Sequence, residues 1–384
     1  MNLPVYLDYN ATTPVDPRVL EAMLPCFTET FGNASSSHAF GQAALAIAAH
    51  ARESLATRLG TQPEDIIFTS GATEADNLAL FGAALGLRSK GDHIITQAIE
   101  HPAVLEACRE LEREGFTVTV LPVDGHGRVD PDLVSKAMTA RTVLVSIMHA
   151  NNELGTLQPI EPIARLCRER GVAFHTDAAQ SLGKVPFSLR DIQADLVAVT
   201  AHKLYGPKGI GALVVRGEVL RHKLKPTHHG GGQELGLRPG TLNTAGIAGL
   251  AKAVEVAAVE LPEEAPRLQE LRLRLLTGIQ QQFNEVKVNG HPEHRLPGTL
   301  HISLKGVDAN HLLHRVPEVA ASTGSACHSG GGHLSGVLQA IGAAPEWANG
   351  SIRLGIGRFT TEEEVDFAAR KLGTMAKELS GRGK

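Results

Sequence analysis

Short apolar strands that alternate with helical segments constrain the fold of this chain more than any other feature of its sequence. Seven runs have the length and composition of buried strands, at residues 66–69, 93–96, 117–121, 142–147, 172–176, 196–200 and 210–215. Helical patterns separate most of them, which predicts an α/β fold with a seven-stranded, mainly parallel sheet covered on both faces. A short glycine turn joins the last two runs, so we expect one of these strands to run antiparallel.

A second, smaller domain is predicted after residues 260–266. The chain beyond them carries strand patterns at residues 286–288, 298–304 and 351–356 and helical patterns at 309–314, 333–341 and 361–379, which fits an α+β domain. We therefore predict a large domain of residues 14–260 and a small domain of residues 1–13 and 261–384. The small domain would include the segment around Cys327.

Composition and charge exclude several classes of function. Of the 384 residues, 42% are hydrophobic and 20% are charged, as in globular proteins, and no apolar run approaches the roughly 18 residues of a membrane span. The N-terminus Met1-Asn2-Leu3-Pro4 lacks the basic start and apolar core of a signal peptide, so we expect a cytoplasmic protein. A net charge of −4 gives no reason to expect direct nucleic-acid binding.

The cysteines and histidines do not have the spacing of a metal site. Cysteines at positions 26, 108, 167 and 327 form no Cys-x-x-Cys pair, which argues against a disulfide framework or a zinc ribbon. The 18 histidines are scattered, and neither His228-His229 nor His311 with His314 belongs to a recognisable zinc pattern. We expect no metal.

Lys203 and Asp177 are the first candidates for chemistry. Lys203 follows the apolar run 196–200, and Asp177 follows the run 172–176. The 203 − 177 = 26 residues between them allow one crossover connection, which would bring two carboxyl strand ends side by side. An acid for a pyridinium nitrogen and a lysine for a Schiff base are what a pyridoxal phosphate enzyme needs most. The alternative is a solvent-facing loop lysine.

The segment 70–77 predicts a phosphate-binding turn. It follows the strand at 66–69 with Ser70-Gly71-Ala72-Thr73 and then enters a helix, an arrangement that aims free backbone N–H groups at an anion. An ordinary N-cap by Thr73 or Ser70 is the alternative for this segment alone. Polar residues also follow other strands, namely Glu100-His101 and His149 with Asn151-Asn152-Glu153. Their shared position predicts a site at the carboxyl edge of the sheet.

Cys327 lies in a segment that is too rich in glycine and serine to form a helix or strand. Residues 321–332 contain four glycines and three serines, so we expect this loop to be mobile and exposed. A thiol displayed there is open to oxidation, which favours a functional role as a nucleophile on a tether. A chance surface cysteine is the alternative.

The ordered set of motifs resembles the cysteine desulfurases of the class-V aminotransferase-like group. These are pyridoxal phosphate enzymes of fold type I and homodimers, and the resemblance covers nearly the whole chain. The matching motifs are Tyr6-Leu7-Asp8, Ala11-Thr12-Thr13-Pro14, Gly32-Asn33, Ser35-Ser36, His38, Thr69 to Glu74, Glu100-His101, Asn151 to Gly155, Asp177 to Gln180, His202-Lys203, Tyr205 to Gly209, Arg238 to Thr241, Gly324 to Cys327, Arg353 and Gly357-Arg358.

The resemblance implies a role for each matching site residue. Lys203 would carry the cofactor as a Schiff base, Asp177 would pair with its pyridine nitrogen, and Gln180 would bond its phenolic oxygen. His101 would stack on the ring and transfer protons. Ala72, Thr73, Thr200 and His202 would hold the phosphate side, with Thr241 reaching across from the partner subunit. Asn152, which also contacts the cofactor, would bind the substrate carboxylate together with Arg353 and Asn33. Cys327 would accept the sulfur.

The implied reaction converts L-cysteine to L-alanine and leaves a persulfide on Cys327 for delivery to a sulfur-acceptor protein. Iron–sulfur cluster assembly, with an iron–sulfur scaffold as acceptor, and tRNA thiolation are the expected destinations. His328 and Gly330-Gly331-Gly332 depart from the Cys-Thr-Ser pattern of the housekeeping enzymes. The run Ala326-Cys327-His328-Ser329 is closer to selenocysteine lyases, as is Gly231-Gly232-Gln233-Glu234. Alternative functions are therefore a selenocysteine lyase, an aminotransferase or amino acid lyase without sulfur transfer, and a non-enzymatic nucleotide-binding protein.

Overall fold

The computed structural model describes residues 3–323 and 335–381. The strands in the described part are β1 (Val5–Tyr6), β2 (Ile66–Thr69), β3 (His93–Gln97), β4 (Thr117–Leu121), β5 (Thr142–Ser146), β6 (Ala173–Asp177), β7 (Leu196–Thr200), β8 (Gly211–Val215), β9 (Val286–Val288), β10 (Thr299–Leu304), β11 (Val319–Ala320) and β12 (Ser351–Gly355).

The α-helices of the same residues are α1 (Pro17–Met23), α2 (Pro25–Thr28), α3 (Ala39–Leu59), α4 (Ala72–Leu87), α5 (Pro102–Arg113), α6 (Pro131–Ala137), α7 (Ile160–Glu169), α8 (Leu189–Ile192), α9 (Glu218–Lys223), α10 (Thr244–Gln282), α11 (Ala309–Arg315), α12 (Gly336–Ala340), α13 (Pro345–Ala348) and α14 (Glu362–Gly381). Two short 3₁₀ helices span Pro63–Asp65 and Gln233–Gly236.

The large sheet has seven strands in the order β2-β8-β7-β6-β5-β3-β4. Strand β8 runs antiparallel to both neighbours, β2 and β7, and the remaining pairs are parallel. The prediction of a mainly parallel seven-stranded α/β sheet with one antiparallel strand is therefore confirmed. Placing β8 between β2 and β7 sets the turn before α4 beside the end of β7.

Helices cover both faces of this sheet because successive strand residues point to opposite sides. Ile66 and Phe68 pack with side chains of α3, α7 and α10 on one face. Ile67 lies between them in sequence and packs with α4 and α5 on the other face. Strands that are buried on both faces read as continuous apolar runs, which is why the sequence marked them so clearly.

A second core surrounds the three-stranded antiparallel sheet β12-β10-β9. It combines side chains of the C-terminal half of α10, α11 and α14 with Val5 and Leu7 from the start of the chain. Strand β1 reaches this core by pairing in parallel with β11. The separate core supports the predicted division into residues 14–260 and residues 1–13 with 261–384, which stays a prediction.

The structure changes the predicted helix pattern in two places. The sequence pattern predicts one helix that ends at Leu261 and a second that runs to about Phe283, but in the structure they are one helix, α10, with Pro262 and Pro266 inside it. Each proline removes one helical N–H donor, but the carbonyls left over belong to exposed residues and can be hydrated. Helix α4 begins at Ala72 rather than at the predicted residue 78, so Thr73 lies in its first turn.

Candidate active site

One cleft opens at the carboxyl edge of the large sheet, beyond the ends of β3, β5 and β7. It has a volume of about 300 Å³, and its walls include the segments that follow these strands and part of β12. Four of the residues predicted from the sequence line it, namely His101, Asn152, Lys203 and Arg353. A lysine, an imidazole, an amide and a guanidinium therefore meet in one cavity.

Lys203 lies in a tight turn that follows β7. The N–H of Gly206 returns to the carbonyl of Ala201 at 2.9 Å. A Cβ at Gly206 would lie 2.7 Å from the Cβ of Ala201, so the turn requires glycine at this position. The turn holds Lys203 half-buried at the cleft, where its charge lowers the pKa of His101.

Asp177 is the last residue of β6, which lies beside the strand that leads to Lys203. The two strands are parallel, and Asp177 is opposite Ala198 of β7. Its Oδ1 accepts a hydrogen bond from the N–H of Ala179 at 2.8 Å, and the side chain is buried. Asp177 and Lys203 act with opposite sign on the pKa of His101, so the predicted acid and lysine share one electrostatic environment.

His101 is the N-cap of α5. Its Nδ1 accepts a hydrogen bond from the N–H of Ala103 at 3.1 Å. Burial, and then the charge of Lys203, lower the pKa of His101, so its ring is neutral at physiological pH. Because Nδ1 accepts, the proton of the neutral ring is on Nε2. A neutral imidazole in this tautomer can donate a hydrogen bond from Nε2 into the cleft.

Two buried acids, Asp76 and Glu100, interact electrostatically with Asp177. The sequence places Glu100 at the carboxyl edge but does not predict a place for Asp76 in the site. Asp76 of α4 is fully buried, and burial, followed by the charges of Asp177 and Glu100, raises its pKa well above the ordinary value. Burial also raises the pKa of Glu100 to about 8, although the N–H of Met148 and the amide of Gln97 donate to its Oε1. Protons on these two acids remove the repulsion that two further carboxylates would exert on a charge at Asp177.

His175 connects this layer to the sheet. It precedes Asp177 by two residues on β6 and so points to the same face. Its Nδ1 lies 2.8 Å from Oγ of Ser146, and its Nε2 lies 3.4 Å from Oδ1 of Asp76. Burial lowers the pKa of His175 to about 3, so the ring is neutral. Asp76 lies on the apolar face of α4 together with Ala79, Leu80 and Ala83. An acidic residue on such a face is the sequence feature that could have predicted this buried acid.

The turn that precedes α4 has the features of an anion cradle. Gly71 has φ 155° and supplies no side-chain cap to the helix, so no side chain closes the first turn that contains Ala72 and Thr73. Gly211 of β8 packs directly on this turn, because a Cβ there would lie 2.7 Å from the Cα of Gly71. Thr200 is also next to Gly71, because its hydroxyl would lie 3.8 Å from a Cβ placed on Gly71. The cradle therefore joins the helix start to the end of β7.

His202 lies between the cradle residue Thr200 and Lys203. Its Nδ1 is 3.1 Å from Oγ1 of Thr12, and its carbonyl accepts from the hydroxyl of Thr13 at 2.9 Å. Burial, followed by the charge of Lys203, lowers the pKa of His202 to about 4. A neutral imidazole is thus held beside the predicted phosphate position by two threonines from the start of the chain.

Arg353 of β12 is the cationic end of the cleft. The side chain is buried, and its Nη2 forms an ion pair with Asp8 at 2.8 Å while its Nη1 donates to the carbonyl of Asn152 at 3.1 Å. Its Nε has no hydrogen-bond partner among the described residues. Asp8 belongs to the matching motif Tyr6-Leu7-Asp8, but the sequence alone does not predict its contact with Arg353. Asp8 and Asn152 therefore hold the guanidinium in place at the cleft.

Two predicted residues lie elsewhere on the surface. Asn33 and Thr241 are exposed and are not among the residues that line the cleft. Asn33 uses its Oδ1 to accept from the N–H of Ser35 at 2.9 Å. The single chain therefore does not bring either residue to the other candidates.

Cys327 lies in residues 324–334, outside the described residues. The residues on both sides of that segment lie at the cleft. Ser322 exchanges two backbone hydrogen bonds with Arg353, at 2.7 Å and 3.3 Å. Gly336 and Val337 line the cleft itself. The described residues that flank residues 324–334 therefore lie beside the candidate site.

Residues 3–323 and 335–381 contain neither a membrane-spanning helix nor a cluster of metal-ligating side chains. No helix there has both the length and the apolar character needed to cross a bilayer. Nor do three or more His, Cys, Asp or Glu side chains of those residues come together as a metal site.

Comparison with known proteins assigns the chain to a family. The family model described as "Aminotransferase class-V" matches residues 5–367. The chain is 50% identical over 380 residues to a protein named cysteine desulfurase IscS from Anaeromyxobacter dehalogenans (strain 2CP-C), covering 99% of this chain and 94% of that protein. It is 49% identical over 375 residues to cysteine desulfurase IscS from Proteus mirabilis (strain HI4320), covering 97% and 92%.

Solved structures give the same fold. A structure titled "NIFS-LIKE PROTEIN" superposes with a TM-score of 0.91 at 38% identity and covers 98% of this chain and 100% of its own. A structure titled "SspA in complex with cysteine" superposes with a TM-score of 0.82 at 38% identity and covers 93% and 99%. The seven-stranded sheet is thus like that of the NifS-like structures of fold type I.

Proposed function

Since the chain belongs to the class-V aminotransferase family, we propose that it is a pyridoxal phosphate-dependent cysteine desulfurase. The reaction converts L-cysteine to L-alanine: the carbon–sulfur bond of the substrate breaks, and the sulfur forms a new bond to the Cys327 thiol, giving a persulfide. The observation that carries the proposal is the meeting of Lys203, His101, Asn152 and Arg353 in one cleft that both flanks of the Cys327 segment adjoin.

The residues present fit pyridoxal 5′-phosphate. No side chain caps the start of α4 at Gly71, and Gly211, where a Cβ has no room, packs against Gly71, which suits a phosphate bound by the backbone N–H groups of the first helical turn. Thr73, Thr200 and His202 would hold that phosphate, Asp177 the ring nitrogen and Gln180 the phenolic oxygen, and Lys203 would form the covalent bond. When bound, this cofactor supplies the electron sink that makes the α-carbon of an amino acid acidic.

The protein's own groups account for binding and proton movement. Arg353 binds the substrate carboxylate through its planar guanidinium, and the carbonyl of Asn152 and Asp8 fix the orientation of that guanidinium. The amine of Lys203 removes the α-proton of the substrate. His101, neutral with its proton on Nε2, donates a hydrogen bond in the cleft and can orient a group bound there. The thiol of Cys327 receives the sulfur.

A homodimer is part of the proposal. Asn33 and Thr241 are exposed in the single chain and lie outside the lining of the cleft, so the predicted site is incomplete without a second copy. Aromatic side chains that a second copy could cover are close by in sequence: Phe27, Phe31 and Phe40 are about 60% exposed, and the rings of Phe31 and Phe40 lie 5.4 Å apart. The molar mass of the wild type, measured by light scattering after size-exclusion chromatography, should be twice the mass of one chain. Phe31→Glu should lower this molar mass toward that of one chain. A monomeric wild type would contradict the proposed homodimer.

The persulfide requires a sulfur-acceptor protein as partner, which we propose to be an iron–sulfur scaffold or a tRNA-thiolation protein. We also propose that the enzyme acts in the cytoplasm. Cys26, Cys108 and Cys167 are free and buried in the structure, as expected where thiols stay reduced.

Absorption spectra and product analysis test the proposal. Purified protein should absorb at about 420 nm, and the band should change on addition of L-cysteine. Lys203→Ala should remove both the lysine-bound cofactor and turnover while circular dichroism stays unchanged; full turnover in this variant contradicts the proposal. Comparing alanine release from L-cysteine and L-selenocysteine identifies the preferred substrate. Alanine release from L-selenocysteine alone would make the chain a selenocysteine lyase, the function that the sequence around His328 resembles.

A further inference from the structure

Two arginines are buried without an acidic partner on the side of the molecule where α10 meets the segment before β10. Arg272 of α10 is 8% exposed, and Arg295, four residues before β10, is 7% exposed. No ion pair joins either guanidinium to a carboxylate in the part of the chain that the structure describes. Two buried guanidinium groups without a counter-charge are unusual.

Their hydrogen bonding is also incomplete. Arg295 donates from Nη2 to the carbonyl of Thr299 at 2.9 Å, but its Nε has no partner among the described residues. The Nε of Arg272 also lacks a partner there. Burial lowers the pKa of Arg272, and burial together with the charge of Arg272 lowers that of Arg295 to about 10. The two charges therefore repel each other and keep unused donors.

Both side chains line one open groove of about 760 Å³. Lys184 lines the same groove, so a third basic residue adjoins the space that the two arginines line. Glu270 and Glu293 also line it, and both are exposed. This arrangement favours a compact anion at the arginines over an extended acidic peptide, which the two glutamates would repel.

We propose that Arg272 and Arg295 form a binding site for a small oxyanion. Planar guanidinium groups present parallel N–H donors that match the oxygens of phosphate, sulfate or a carboxylate. An oxyanion in the groove supplies the missing counter-charge to both guanidinium groups. Lys184 lines the same groove and donates a hydrogen bond to Gln180, the residue proposed to bond the phenolic oxygen of the cofactor. The proposal does not depend on the proposed reaction.

Thermal unfolding of the full-length, cofactor-loaded protein tests the site, with inorganic phosphate as the probe and sodium chloride at equal ionic strength as the reference. We expect about 50 mM phosphate to raise the Tm of the wild type by about 2 °C or more relative to chloride. Arg272→Gln should lose at least half of this shift. Arg274→Gln is the matched control, because Arg274 lies two residues away on α10, pairs with Glu362 and Asp366, and does not line the groove.

Two results overturn the proposal: a wild-type shift no larger than that in chloride, or an equal shift in Arg272→Gln and the wild type. If Arg272→Gln does not fold, Arg272→Lys takes its place, since it keeps the charge but loses the parallel donors. A reduced phosphate shift in that variant supports the site, and an unchanged shift overturns it.

Discussion

Nζ of Lys184 donates to Oε1 of Gln180 at a distance of 2.9 Å. Because an ammonium group can only donate, it fixes the orientation of the Gln180 amide, whose Nε2 then donates to the carbonyl of Asn10 at 2.9 Å. Burial, followed by the charges of Lys203 and Arg353, lowers the pKa of Lys184 to about 7. The residue proposed to bond the phenolic oxygen of the cofactor is therefore held by a lysine that titrates near neutrality.

Lys184→Met should change the titration of the bound cofactor. The substitution removes a positive charge near Lys203, which makes protonation of the linkage between Lys203 and the cofactor more favourable. The pH midpoint of the absorbance change that follows this protonation should therefore rise by about half a unit. The charge effect should fade above about pH 7, where Lys184 is neutral in the wild type. Lys90→Met is the control, since Lys90 is exposed and lies just before the amino end of β3. An equal midpoint in wild type and Lys184→Met would contradict this reading.

Glu100→Gln should change how stability depends on pH. Burial raises the pKa of Glu100 from 4.5 to about 8 in the folded protein, so between these values the folded state holds a proton that the unfolded state has lost. This contribution is complete below about pH 4.5 and is lost as pH rises toward 8, by up to about 1.4 kcal/mol per pH unit.

Glutamine retains an oxygen for the N–H of Met148 but does not titrate. The free energy of unfolding, measured by urea denaturation at pH 6, 7 and 8, should therefore fall more steeply in the wild type than in Glu100→Gln. Equal slopes would show that Glu100 is ionised in the folded protein.

Cys327→Ala should stop sulfur transfer without removing the cofactor. The visible band and its response to L-cysteine should persist, while persulfide formation and alanine release should fall to background. Cys26→Ala is the matched control, as Cys26 is buried. Burial raises the pKa of Cys108 to about 12 and raises that of Cys167 as well, so these thiols stay protonated and unreactive. Persulfide detected by mass spectrometry on any of these three cysteines instead of Cys327 would refute the assignment.

Arg353→Gln should raise the KM for L-cysteine by about 10- to 100-fold, which corresponds to one charge-assisted carboxylate interaction. Arg353→Lys should recover part of this loss, because it restores the charge but not the planar pair of donors. Arg113→Gln, at an exposed position on α5, should leave the KM unchanged. A KM close to the wild-type value in Arg353→Gln would place the substrate carboxylate elsewhere.

The strands and the carboxyl-edge position of the candidate residues could be predicted because both are local properties of the sequence. A strand such as β7 is a continuous apolar run whatever its neighbours are, and Lys203 follows it directly. Parallel pairing of β6 with β7 then places Asp177 near Lys203 as a consequence of the crossover. The continuity of α10 could not be predicted in this way, because proline is a local signal for a helix end and only the exposure of the surrounding turn makes Pro262 and Pro266 tolerable.

The sequence by itself determined the α/β alternation, the family motifs and the type of chemistry that Lys203 and Asp177 can support, since these depend on residue type and short-range order. Tertiary structure alone decided which partner each buried polar group has. Asp76 with His175, Asp8 with Arg353, Lys184 with Gln180, and Arg272 beside Arg295 are pairings of this kind. Such contacts depend on which faces of two distant elements pack against each other. A side chain is desolvated only when those faces pack together, so the pKa shift that burial causes cannot be predicted from the sequence.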